Sequence, residues 1–289
     1  MEVCQNVTPT SNRGMTHLAA DLSAYPLTKG CWLGCAAVFL AAAVLDWWGS
    51  RNDDRQLKSA SLWLLRAGWL TLTVMLAYHG LRAHALPIND SAEVLLSIGW
   101  GLTGLAGFLD LTFNHRLPTW AIATASALCL LAAAFLWAPF VPHDATGKPL
   151  IAMHVGAAIL AYCVLAAQAL NSAAYLLQHR ALERRQFGGI YALLPALVPL
   201  DRIGSQLLGA AVWLLGLSLV IGATDWVQRD LALVALPKLA ASLIAWLAGL
   251  FVTVQRRRHR LSGASFARAS LWAFIPALIA LYFSLPSAR

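Results

Sequence analysis

The sequence predicts an all-α, polytopic membrane protein with about eight transmembrane helices. Of its 289 residues, 59% are hydrophobic and only 12% are charged, whereas about a quarter of the residues of a soluble domain are charged. Apolar stretches of about 20 residues recur along the chain, and a helix needs that length to cross the hydrocarbon core of a bilayer. None of these stretches alternates polar and apolar residues, which excludes a transmembrane β-barrel.

The apolar stretches are separated by short polar or proline-containing segments. Their Gly-, Ala- and Leu-rich composition favours helices, because a backbone in lipid must satisfy its own hydrogen bonds. We interpret residues 1–30, which are polar and mixed, as an N-terminal tail and residues 31–287 as one eight-helix transmembrane domain. The predicted spans are 31–49, 61–83, 92–113, 120–140, 151–178, 205–224, 231–255 and 266–286.

The distribution of lysine and arginine predicts the orientation of the spans. Basic residues are concentrated in the loops after spans one, three, five and seven, and loops of this kind face the cytoplasm. Both termini are therefore expected outside, and the protein is expected to cross a bacterial cytoplasmic (inner) membrane many times. The net charge of +8 is explained by these loops, so we expect the lipid bilayer as a partner and no nucleic acid. The basic residues are Arg51, Arg55, Lys58, Arg116, Arg180, Arg184, Arg185, Arg202, Arg256, Arg257, Arg258 and Arg260.

Polar residues on the inner side predict local structure. Span five is expected to continue as a helix beyond the membrane, because NSAAYLLQHRALERRQF keeps helical apolar spacing while it gains charge. Pro195 and Pro199 then interrupt the helix, and Asp201 is placed to cap the next helix.

Arg66 of span two needs a carboxylate, which Asp110 of span three can supply. We interpret this pair as an ion pair that clamps two helices, with an ion or proton path as the alternative.

The cysteines exclude one class of protein. The sequence has no CxxCH motif, so the chain is not itself a c-type cytochrome. Cys31 and Cys35 lie one helical turn apart at the outer end of span one. A metal or redox role for this pair would need further ligands, which the sequence alone does not identify.

Two histidines and a lysine on three different spans share one depth. In the predicted orientation His79 lies about 6 Å and His154 about 5 Å below the outer boundary, and Lys238 lies about 10 Å below it. Each of them can be an ordinary interfacial group. An imidazole in hydrocarbon nevertheless needs a polar partner, a water-lined cavity or a metal. The shared depth therefore favours a common site.

Iron-porphyrin binding is the chemistry that would use this set. His79 and His154 can ligate iron from opposite faces as neutral imidazoles, or one can ligate while the other assists. Lys238 or Arg82 can pair with a propionate carboxylate. An aromatic, apolar wall would suit the macrocycle, and the tryptophans available for it are Trp69, Trp100, Trp137, Trp226 and Trp246.

Several segments carry a resemblance to a known family. They are LAYHGL with His79, MHVGAAILAYCVLAAQAL with His154, LLPALVPLD, the glycine-rich LLGAAVWLLGLSLVIGA, and PKLAASLIAW with Lys238 and Trp246. Over residues 60–287 the chain resembles the cytochrome c assembly protein family, the haem-handling proteins related to CcsA and CcmC, and is most similar to the YpjD/HemX-like branch. The resemblance implies that His79 and His154 are haem ligands. It also implies that Lys238 matches a recurrent lysine of span seven.

These observations lead to one functional expectation. The protein is expected to bind haem (haem b), as a cofactor or as transient cargo, and to deliver or present it on the outer face during cytochrome c assembly. We find no nucleophile or acid–base constellation, so any attachment chemistry would belong to partner cytochrome c maturation proteins. The alternatives are a transporter or exporter of a small amphipathic molecule and a non-catalytic membrane scaffold subunit.

Overall fold

A computed structural model describes the backbone of residues 11–83, 91–113, 118–136, 149–185, 194–227 and 236–284. In these ranges the chain forms eight α-helices and no strand, and each helix contains a segment long and apolar enough to cross a membrane. The predicted all-α, multi-pass architecture is therefore confirmed. The helices are α1 Ser11–Arg51, α2 Arg55–Ala83, α3 Ser91–Phe113, α4 Thr119–Leu136, α5 Pro149–Glu183, α6 Leu197–Val227, α7 Leu236–Arg257 and α8 Gly263–Ser284.

The described helices pack around two large apolar cores that share α3, and a third, smaller cluster lies among α5, α6 and α8. One core is formed by α1, α2, α3 and α4, and includes the fully buried Phe39, Leu72 and Leu130. The other is formed mainly by α3, α5, α6, α7 and α8, and includes Leu102 and Leu208. Because α3 contributes to both cores, it packs on α2 in the first core and on α5 in the second.

Large apolar side chains also cover the outside of the bundle. Trp213, Trp272 and Phe135 are all more than two-thirds exposed. Such exposure would be costly in water, but lipid tails are as apolar as leucine. The outer surface therefore supports the membrane assignment independently of the lengths of the helices.

The boundaries of α1 and α6 differ from the prediction. α1 begins at Ser11, within the segment interpreted as a polar tail, and α6 begins at Leu197. Pro199 therefore lies in the first turn of α6, where a missing N–H costs little because the first amides of a helix have no intrahelical acceptor. The prediction that Asp201 caps this helix is wrong, because Asp201 lies inside it. The predicted extension of span five is confirmed as far as Glu183, where α5 ends.

Carboxylates join several of the helices. Arg66 of α2 and Asp110 of α3 form the predicted ion pair, with 3.8 Å between Nη2 and Oδ2. Asp46, near the end of α1, accepts a hydrogen bond of 2.9 Å from the backbone amide of Trp120. That amide belongs to the first turn of α4, where amides have no intrahelical partner. Asp46 therefore fixes the start of α4 to the end of α1.

The turn between α1 and α2 is closed by two aspartates. Asp54 caps α2, because its Oδ1 accepts hydrogen bonds from the amides of Gln56 at 2.8 Å and Leu57 at 3.4 Å. Asp53 has a φ of 53° and accepts a hydrogen bond of 3.0 Å from the Lys58 ammonium. This hydrogen bond, together with the positive charge of Lys58, holds the pKa of Asp53 below its usual range.

Candidate functional site

His154 is held against α6 by a reciprocal pair of hydrogen bonds. Its Nδ1 lies 2.7 Å from the backbone oxygen of Ser218. The hydroxyl of Ser218 donates to the backbone oxygen of His154 at 3.1 Å and also lies 3.1 Å from Nδ1. The side chain of Ser218 is buried. The imidazole and the two backbones are therefore fixed relative to one another.

These contacts determine which nitrogen of His154 carries the proton. A backbone carbonyl can only accept a hydrogen bond, so Nδ1 must be the donor. In a neutral imidazole the other nitrogen, Nε2, then carries a lone pair. A histidine that binds a metal has this arrangement, in which one ring N–H is held by a carbonyl and the other nitrogen is the ligand.

A glycine provides the space for the ring. A Cβ placed on Gly222 of α6 would lie 2.7 Å from Cε1 and 2.8 Å from Nδ1 of His154. Ordinary carbon contacts are about 3.5–4.0 Å, so no larger residue fits without a shift of the imidazole. Ser218 and Gly222 are one helical turn apart on α6, and together they form the surface on which the ring rests, which we call the seat of the ring.

His79 has different neighbours. Its ring lies 6.1 Å from that of Trp32 on α1, at an interplanar angle of 48°. Trp32 is almost fully buried. α2 packs on α1 and α3, whereas α5 packs mainly on α6, α8 and α3. Among the described contacts, the two histidines are thus held by different helices.

The two histidines nevertheless lie toward the same end of the bundle. Trp100 of α3 donates to the hydroxyl of Thr73 at 2.7 Å, and Cys163 of α5 donates to the carbonyl of Ile98 at 3.6 Å. His79 lies beyond Thr73 by about 9 Å of helix, and His154 lies beyond Cys163 by about 14 Å. Both residues are displaced toward the start of α3. The two histidines therefore lie at similar levels along that helix.

The other predicted site residues have different surroundings. Trp246 of α7 donates to the carbonyl of Val212 at 3.1 Å, and its ring nitrogen lies 2.8 Å from the position of a Cβ on Gly216. It therefore joins α7 to α6. Lys238 is exposed in the first turn of α7, about 12 Å of helix from Trp246 and toward the end that holds His154. The side chain of Arg82 lies outside the described residues.

Two of the remaining candidate tryptophans, Trp69 and Trp100, have described side chains, and these pack on each other. Trp69 and Trp100 stack at 6.0 Å with an angle of 12°, and Trp69 donates to the carbonyl of Trp100 at 3.1 Å. They fill the contact between α2 and α3. The side chains of Trp137 and Trp226 lie outside the described residues. Within the described ranges, no three His, Cys, Asp or Glu side chains are arranged to hold a metal ion.

Sequence reasoning missed the partners of both histidines. Ser218 and Gly222 lie in the glycine-rich sixth span, and a serine and a glycine four residues apart on one helix face were the available signal. Trp32 gave no such signal, because twelve tryptophans are spread along the chain.

Two comparisons with known proteins bear on this arrangement. A family model described as cytochrome C assembly protein matches residues 60–287, a range that includes His79, His154, Ser218, Gly222 and Lys238. The chain is also similar to protein HemX of Brevibacillus brevis, with 26% identity over 197 residues that cover 66% of this chain and 72% of that protein. The family model spans well over half of the chain, so this multi-pass membrane protein belongs to the cytochrome c assembly protein family.

Proposed function

We propose that this protein binds haem near the predicted outer face of a bacterial inner membrane and presents it during cytochrome c assembly. The observation that carries the proposal is the hydrogen bond between His154 Nδ1 and the Ser218 carbonyl. Because this carbonyl binds Nδ1–H, Nε2 is the nitrogen left to act as a ligand. Haem, when bound, would supply an iron that an imidazole nitrogen can bind.

The surroundings of His154 suit such a ligand. The carbonyl that holds Nδ1–H fixes the orientation of the ring. Gly222 has no side chain, so the imidazole can pack directly against the backbone of α6. The role of His154 is therefore to bind and orient.

His79 and Lys238 are the proposed supporting residues. His79 lies toward the same end of the bundle and would supply a second imidazole, as a second ligand or as an assisting group. Lys238 is exposed at that end and supplies a positive charge for a propionate, with Arg82 as a second cation. We assign Trp246 an indirect part, because its N–H is already used to hold α7 on α6.

The proposal gives the chain a role in positioning rather than in covalent chemistry. Attachment of haem to a cytochrome would be carried out with partner proteins of the same assembly process. Membership of the cytochrome c assembly family supports this role over the transporter and the scaffold.

The test is a haem titration of the purified protein in detergent, followed by its Soret band. Native protein is expected to take up haem, and His154→Ala is expected to lose the perturbed Soret band. The matched control is His179→Ala, because His179 lies near the inner end of the same helix and pairs with Glu183 at 3.2 Å. Native protein that takes up no haem, or His154→Ala that titrates like native protein, would refute the proposal and favour the alternatives.

A further inference from the structure

Two sulfur-containing side chains meet between α1 and α2, and a third lies one helical turn away on α1. Cys35 of α1 is buried, and its Sγ lies 4.0 Å from Sδ of Met75 on α2. Cys31 lies one turn before Cys35 and is exposed. Residues four apart on a helix lie on the same face, with about 5–6 Å between their Cβ atoms. The exposed thiol therefore lies beside the buried pair of sulfurs.

The spacing of the sulfurs matches that of two ligands on one metal ion. A metal–sulfur bond is about 2.3 Å long. Two sulfurs bound to one ion at a trigonal angle of about 120° are therefore about 4.0 Å apart, by simple trigonometry on that bond length. The separation of Cys35 and Met75 is 4.0 Å. The two groups can thus reach one ion without a change in the packing of α1 on α2.

The ligand types determine which ion fits. Soft sulfur ligands suit Cu(I), Zn²⁺ and Fe–S clusters, whereas Mg²⁺, Ca²⁺ and Mn²⁺ prefer oxygen. Structural Zn²⁺ takes four ligands and Fe–S clusters take four thiolates, so two thiolates with one thioether fit Cu(I) best. We propose that Cys31, Cys35 and Met75 form a Cu(I) site between α1 and α2, near the predicted outer end of the first apolar span. The ion binds as Cu(I), so no electron is transferred. Two thiols release their protons to solvent, and two thiolates with one Cu(I) leave a net charge of −1.

The other described cysteines lack this arrangement. Cys163 is also buried, but its Sγ donates to the carbonyl of Ile98 and packs against Gly101. Cys129 is a single cysteine on α4 whose side chain is partly buried. Among the described residues, only the Cys35 thiol lies 4.0 Å from another sulfur, and the neighbouring Cys31 thiol is exposed, so an ion can enter there.

This site goes beyond the proposed haem function and is separate from His154. Met75 lies one turn before His79 on α2, and Trp32, which contacts the His79 ring, lies between Cys31 and Cys35 in the sequence. The sulfur site therefore adjoins the predicted haem end on its α1–α2 side. A copper measurement can fail or succeed whatever the result of the haem titration.

The experiment is an anaerobic titration of the reduced, full-length protein with Cu(I) in competition with a chelator of known affinity. Native protein is expected to bind one equivalent, and X-ray absorption at the copper edge is expected to show sulfur neighbours at about 2.3 Å. Cys31→Ala changes an exposed side chain, and Met75→Leu keeps the apolar volume. Each variant is expected to weaken binding at least about tenfold, because each removes a direct ligand.

Cys4→Ala and Cys129→Ala are the matched controls, and His154→Ala is a third. All three are expected to keep native copper affinity. Native affinity in Cys31→Ala or in Met75→Leu would overturn the three-sulfur site. It would also be overturned by loss of binding in Cys4→Ala, or by native protein that binds no copper.

Discussion

Replacement of Gly222 by alanine tests most directly whether the packing of the His154 ring on α6 controls haem affinity. The added Cβ would lie 2.7 Å from Cε1 and 2.8 Å from Nδ1 of the imidazole, whereas carbon contacts are about 3.5–4.0 Å. The ring must therefore move by about 0.7 Å or more. Such a move lengthens the 2.7 Å hydrogen bond from Nδ1 to the Ser218 carbonyl, and so removes the contact that fixes Nε2 as the ligand.

The expected loss can be estimated from that hydrogen bond. Leaving a buried donor without its acceptor costs about 1–3 kcal/mol. Because 1.4 kcal/mol is a factor of ten in an equilibrium constant, haem affinity is expected to fall about 5- to 150-fold. The assay is the Soret titration of native and Gly222→Ala protein in the same detergent.

Gly209→Ala is the matched control, because Gly209 lies on the same helix and a Cβ there would have no heavy atom within 4 Å. Alanine in a helix is favoured over glycine by about 0.5–1 kcal/mol, so this variant measures the helix effect alone. It is expected to bind haem as native protein does and to melt slightly higher. Equal affinity in Gly222→Ala and Gly209→Ala would show that the seat of the ring does not govern binding.

Three further variants test how the helices are held, each by thermal melting in detergent. Trp246→Phe removes the 3.1 Å hydrogen bond to Val212 and is expected to cost about 1 kcal/mol; an unchanged melting temperature would contradict the assigned contact. Arg256→Ala breaks the pair with Asp201 and is expected to cost about 1–2 kcal/mol, less than a fully buried pair because both side chains are partly exposed. The exposed Arg257→Ala is its control and is expected to change stability by less than about 0.5 kcal/mol, so equal effects would refute the pairing. Asp54→Ala removes the cap of α2 and is expected to cost about 1 kcal/mol, whereas no loss of stability would mean that the turn supports itself.

Some of the contacts between helices could be predicted from single residues. Arg66 lies in an apolar span and needs a carboxylate, so its pairing with Asp110 follows from the cost of an unpaired charge in lipid. Asp201 was predicted to cap α6. Pro199 is tolerated in the first turn, so the helix starts earlier, and Asp201 instead pairs with Arg256.

The candidate site could be predicted only in part. His79, His154 and Lys238 were identified because polar groups are rare and costly in apolar spans. Their partners could not be identified in the same way. Ser218 is 64 residues from His154, and a small hydroxyl in a helix gives no sign of which neighbour it contacts. The pairing of Cys35 with Met75 was hidden for the same reason, since both are ordinary apolar residues in a span.

The sequence alone determined the class, the number of membrane-spanning segments among the described residues and approximately where most of them lie, although α1 and α6 begin earlier than predicted. It could do so because the thickness of a bilayer fixes the length of an apolar helix, whatever its neighbours are. The tertiary structure decided which face of each helix meets which other helix. Helices that are apolar all round carry little periodic signal for their rotation, so the contacts of His154 with Ser218 and of Cys35 with Met75 arise only when the helices pack.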